Sequence, residues 1–113
     1  MSISMSISAG VGSITNVPIL GDPPINIVAP EIEKFAVIPQ PGVMISCREG
    51  IWENNPYNFE YQWYRDGVVI FGAENNTYTL TSDDLGIDIS CLVIAQNEFG
   101  KTPQFSNSVY IPL

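Results

Sequence analysis

The stretch Phe59-Glu60-Tyr61-Gln62-Trp63-Tyr64-Arg65-Asp66-Gly67-Val68-Val69-Ile70-Phe71 constrains this chain more than any other. Asp-Gly lies between two β-rich runs, and a type I′ turn needs positive φ at both central positions, which Asp and Gly tolerate. Before the turn, Phe59, Tyr61 and Trp63 alternate with polar neighbours and predict one buried face. The stretch is a predicted β-hairpin, and no helical period of useful length appears elsewhere.

The remaining text after about Glu33 reads the same way. Phe35-Ala36-Val37-Ile38 is a short apolar run closed by the turn signal Pro39-Gln40-Pro41-Gly42, and Val43-Met44-Ile45-Ser46-Cys47 follows as a strand. Asn54-Asn55-Pro56 marks a loop, as does Gly72 to Asn76, after which Thr77-Tyr78-Thr79-Leu80-Thr81 alternates again. Ile87, Ile89, Cys91, Val93 and Ala95 form one inward row of a long strand. Asn97-Glu98-Phe99-Gly100 turns the chain, and Phe105 to Ile111 supplies the last strand. About seven short strands at this spacing predict an all-β, two-sheet sandwich.

Composition narrows the function. The 113 residues are room for one domain, and 45% hydrophobic with 11% aromatic content supports a core. Four Lys+Arg stand against 12 Asp+Glu, a net charge of -8, with Lys34, Arg48, Arg65 and Lys101 scattered. Such a surface repels phosphate, so nucleic acid and anionic membranes are poor partners. With no histidine and two cysteines, His-based triads, His-rich metal sites and four-Cys zinc sites fall away. A non-catalytic module without cofactor is expected.

Residues 1–33 differ. Up to Pro30 they carry Asp22 as the single charged side chain, and Pro18, Pro23, Pro24 and Pro30 interrupt any regular ladder or helix. Ser2-Ile3-Ser4-Met5-Ser6-Ile7-Ser8 alternates with period 2, the pattern of a one-sided strand; Gly10, Gly12, Gly21 and Pro23-Pro24 read as linker. One reading is a disordered terminus. The other is an extended arm that gains order on a partner, because Ile3, Met5, Ile7, Ile14, Val17, Ile19, Leu20, Ile25, Ile27 and Val28 are costly to leave in water. The second is preferred, with a domain over 34–113 behind the arm.

The start lacks the Lys/Arg cluster and compact apolar core of a secretory signal, and no run approaches the roughly 20 apolar residues that span a bilayer. Synthesis in a cytosol is expected, which removes the meaning of the sequon Asn75-Asn76-Thr77 and makes a disulfide no default.

Cys47, Trp63 and Cys91, together with Tyr61-Gln62-Trp63-Tyr64-Arg65-Asp66-Gly67, Asp84-Leu85-Gly86-Ile87 and Ile89-Ser90-Cys91-Leu92-Val93-Ile94-Ala95-Gln96-Asn97-Glu98-Phe99-Gly100, resemble an immunoglobulin-like domain. The version they look like is bacterial and bacteriophage, found in virion and bacterial surface proteins, and the resemblance spans roughly residues 35–113. It implies facing cysteines on two strands with Trp63 packed on their sulfurs, and it leaves open whether the sulfurs are joined. Antibody domains place a corner tyrosine two residues before the second cysteine; Ile89 stands there instead, so Asp84 and Gly86 are expected to hold the corner.

Other candidate sites carry less. Trp52 and Tyr57, in the loop Gly50 to Tyr57, could stack on a sugar ring, although a loop aromatic folded on the sandwich edge, or a protein contact, is the simpler reading. Asp83, Asp84 and Asp88 offer oxygen ligands without the spacing of a calcium loop, so a solvated turn with Asp84 accepting backbone hydrogen bonds is expected. Glu49, Glu53 and Glu60 lack the cleft that paired catalytic acids need. The resemblance then implies a bacteriophage structural protein made in the host cytoplasm: a capsid decoration protein on the virion surface, its arm on the major capsid protein or another virion protein. A host-glycan-binding tail or fibre module is the alternative, and self-association through the arm stays open.

Overall fold

In the computed structural model, residues 21–33 and 37–113 are described. The fold is all-β and built from antiparallel sheets. In chain order the strands are β1 (Ile25–Val28), β2 (Glu31–Ile32), β3 (Met44–Arg48), β4 (Ile51–Glu53), β5 (Asn58–Arg65), β6 (Val68–Val69), β7 (Thr77–Thr79), β8 (Ile87–Asn97), β9 (Gly100–Phe105) and β10 (Val109–Ile111). Strands β10-β8-β5-β6 form one sheet, in which β9 also pairs β8; β2-β3-β7 form another, and β1-β4 a two-stranded flap.

Local chemistry explains the main ladder. Asp66 (φ 47°) and Gly67 (φ 78°) both adopt positive φ, the hairpin turn expected of them, and pair Arg65 with Val68. Strand β8 runs its odd-numbered residues inward: Ile89, Cys91, Val93 and Ala95 are buried, and β5 pairs with it from Asn58↔Gln96 to Arg65↔Ile89. Between the two larger sheets, Trp63, Ile89, Cys91, Val93 and Ile111 meet Ile32, Ile45 and Cys47, closed off by Leu80. Each such side chain contributes about 1.5–3 kcal/mol when fully buried. Trp63 donates its indole N–H to the Asn75 carbonyl at 2.7 Å and stacks on Tyr78 at 5.7 Å between centroids.

Three expectations need correction. The fold starts well before residue 34, because β1 pairs β4, β2 pairs β3, and Pro24, Pro30 and Ile32 are buried. The prolines that suggested a linker lack N–H donors but keep their carbonyls, and side chains satisfy these: Asn54 Nδ2 donates to Pro23 O at 2.9 Å and Thr102 Oγ1 to Pro24 O at 2.6 Å. Of the run Phe35 to Ile38, Phe35 and Ala36 lie outside the described residues, and Val37 and Ile38 are exposed and outside any strand. The final strand is two strands along one edge of β8. Ser106 breaks it by donating its N–H to Cys91 O at 2.8 Å while its Oγ accepts from Cys91 N–H at 2.9 Å.

Candidate functional site

One end of the molecule gathers the features that face outward. The chain enters at Gly21 and Asp22, where the buried Asn97 fixes it: Nδ2 donates to Asp22 O at 2.8 Å and to Asn54 O at 2.9 Å. Its Oδ1 accepts from the N–H groups of Phe99 at 2.8 Å and Gly100 at 3.1 Å, so one amide ties the entering chain to two loops with its bonding capacity filled.

From there β1 runs against β4 in the register Ile25↔Glu53, Asn26↔Trp52, Val28↔Ile51, with a bulge at Ile27. Asn26 and Trp52 turn inward. Trp52 tilts against Phe59 at 6.3 Å and donates its indole N–H to Glu49 O at 2.7 Å, while Asn26 Nδ2 donates to Val28 O at 2.9 Å. Alternation therefore sends Ile25, Val28 and Ile51 outward, and with Ile27 in the bulge all four are about half exposed, from 47% to 59%. Gly50, at φ +86°, lets the chain pass beneath this flap, because a Cβ there would meet the Val28 carbonyl.

Beside the flap lies a groove of about 590 Å³, lined among others by Glu31, Arg48, Glu49, Cys47 and Tyr61. Burial, and then the Glu49 charge, push the Tyr61 phenol up to about 12, so it holds its proton at neutral pH. Cys47 and Cys91 are buried thiols that face each other. The hydrogen bond to Cys47 and burial push Cys91 far above an ordinary thiol, which makes it a poor nucleophile. Arg48 pairs with Glu33 at 3.4 Å in solvent, a contact of small energy.

The expected site residues fall into four groups. Ile3, Met5, Ile7, Ile14, Val17, Ile19 and Leu20 lie outside the described residues. Ile25, Ile27 and Val28 belong to β1 of the fold, not to a preceding arm. Cys47, Trp63 and Cys91 share the core. Trp52 and Tyr57 are not brought into one platform: Trp52 is turned inward on Phe59, whereas Tyr57 is exposed beside Phe99 in a hollow of about 280 Å³.

In the acidic turn the backbone hydrogen bond expected of Asp84 is present, but the expected solvation is not. Asp83 and Asp88 are exposed, but Asp84 is fully buried, accepting from Arg65 Nε at 2.7 Å, Tyr78 Oη at 2.8 Å and the Thr81 N–H at 2.8 Å. Among the described residues no three His, Cys, Asp or Glu side chains group to hold a metal ion. Sequence reasoning missed Ile51, which looked like part of a loop, and Asn97, which looked like an ordinary turn residue. Neither carries a local signal, because both roles depend on where β1 lands. Compared with protein-family models, curated proteins and solved structures, the chain matches none.

Proposed function

We propose that this chain is an immunoglobulin-like structural module of a bacteriophage particle, a non-enzymatic decoration protein held on the capsid by its leader. The observation that carries the reading is the strand arrangement. Strands β2-β3-β7 oppose β10-β8-β5-β6, with Cys47 and Cys91 facing across the core and Trp63 beside them. This supports an immunoglobulin-like reading, in which the fold serves as a rigid block. Residues 1–20, rich in Ile, Val and Leu and free of charge, are the anchor. Burying each of those side chains on a neighbouring subunit would contribute about 1.5–3 kcal/mol, offsetting the entropy of ordering the segment. The acidic block, at net charge -8 for the whole chain, keeps the decorated surface soluble.

The test is attachment to purified capsids followed by co-sedimentation. Deleting residues 2–20 is expected to abolish attachment and to leave the melting transition in place, since it spares every described strand. Retained attachment would overturn the anchor. Binding to a glycan array that is lost on Tyr57→Ala would favour the host-surface alternative.

A further inference from the structure

The outward face of the β1–β4 flap is apolar, and its place in the chain gives it a use. Ile25, Ile27, Val28 and Ile51 are about half exposed, whereas Asn26 and Trp52, their neighbours along the two strands, pair with each other and are more buried. Four apolar side chains gathered on one small flap of a chain with net charge -8 mark a candidate contact surface. Its rim is acidic as well. Glu53 lies opposite Ile25 in the register, and Glu31 and Glu49 flank the two strands; among the described residues none of the three has an ion-pair partner. Among the described residues Arg48, opposite Glu31 in the register, is the one cation within this rim; it pairs with Glu33 at 3.4 Å in solvent, so the rim stays acidic on balance.

We infer that this face docks on the same partner polypeptide that the leader grips, and that the partner offers an apolar strip edged by Lys or Arg. The inference rests on the decoration reading and assigns that reading a second contact. Residue 20 precedes Ile25 by five positions in the chain, so a partner holding residues 1–20 is kept close to the flap. Once the leader is bound, the flap meets its partner at high effective concentration, and a small face suffices. Charge excludes a second copy as occupant. Two flaps face to face would bring Glu31, Glu49 and Glu53 of each chain against their counterparts, whereas a cationic rim complements them.

The experiment places a photo-crosslinking amino acid at Ile7, Ile27 or Val68 of the full chain, assembles each variant on capsids, and maps the crosslinked peptides by mass spectrometry. Positions 7 and 27 should join the same foreign polypeptide, with the contact of position 27 in an apolar segment flanked by Lys or Arg; position 68, on β6, should not. Ile27→Glu is expected to lower attachment at least tenfold with an unchanged melting temperature, and Val68→Glu to leave attachment intact. Crosslinks from position 27 to residues 1–20, or to another copy of this chain, would overturn the inference. So would silence at position 27 while position 7 reacts, an outcome that leaves the anchor reading standing. Silence at both positions would remove both.

Discussion

Arg65 Nε lies 2.7 Å from Asp84 Oδ1, and the two differ in access to water: the Arg65 side chain is 27% exposed and that of Asp84 is 0%. The carboxylate is therefore the committed partner. It also accepts from Tyr78 Oη and from the Thr81 N–H, which makes it the junction of β5, β7 and the turn into β8. An isolated charge at this depth would be prohibitive, and two neutral donors plus a guanidinium make it tolerable.

Replacing that junction should therefore destabilise the whole domain. Asp84→Ala leaves the Thr81 N–H and Tyr78 hydroxyl without their acceptor and frees Arg65, which can turn to solvent. The expected cost is about 3 kcal/mol, in the range for breaking a buried pair. Tyr78→Phe removes one donor and is expected to cost about 1 kcal/mol. Urea unfolding of both variants checks the order; equal midpoints for wild type and Asp84→Ala would refute the junction.

Asn97→Ala should act locally as well as globally. It removes donors to Asp22 O and Asn54 O and the acceptor of the Phe99 and Gly100 N–H groups. Two of these bonds lie inside one loop and two reach other segments, so a loss of about 2–3 kcal/mol is expected. Hydrogen exchange should accelerate first over Ile25–Val28, because the entering chain has lost its main tether. Uniform acceleration across β5 and β8 would show that Asn97 serves the core instead.

Gly50→Ala tests the flap. At φ +86° an alanine is strained, and its Cβ would run into the Val28 carbonyl. Separation of β1 from the chain beneath it relieves the collision, at an expected cost of at least about 2 kcal/mol. Trp52 fluorescence reports it, since the ring sits against Phe59 under the flap. Gly67→Ala, with open space around the position, carries only the cost of its positive φ and should leave that emission unmoved.

These sites differ in how far the sequence announces them. The β5–β6 hairpin and the inward row of β8 are legible because Asp66-Gly67 and the two-residue period are local properties. The β1–β4 pairing is not. Prolines 23, 24 and 30 signal a broken ladder, and only the fold supplies the amide and hydroxyl donors that take up the orphaned carbonyls. The same holds for Asp84: three aspartates near one another look solvated until Arg65, from another strand, is brought across. The apolar face of the flap was half visible, in that Ile25, Ile27 and Val28 are too greasy for solvent. Ile51, on the opposing strand, joins them only through the register.

Alkaline titration gives the last test. Tyr61 is pushed up to about 12 by burial and by Glu49, whereas in the unfolded chain it titrates near its ordinary value of about 10. Between those values the unfolded state sheds the proton that the folded state keeps. Stability from this group is thus complete below about pH 10 and is lost as the pH climbs towards 12. A loss of up to about 2 kcal/mol is expected over that interval, allowing for partial solvent access. The raised Cys91 thiol pulls in the same direction from lower pH, so wild type alone does not isolate the tyrosine. Tyr61→Phe does: its unfolding free energy should fall less steeply between pH 10 and 12, and the phenolate absorbance of the folded wild type should contain a component near 12 that the variant lacks. Parallel stability curves for the two proteins would show that Tyr61 ionises freely and is not held by the groove.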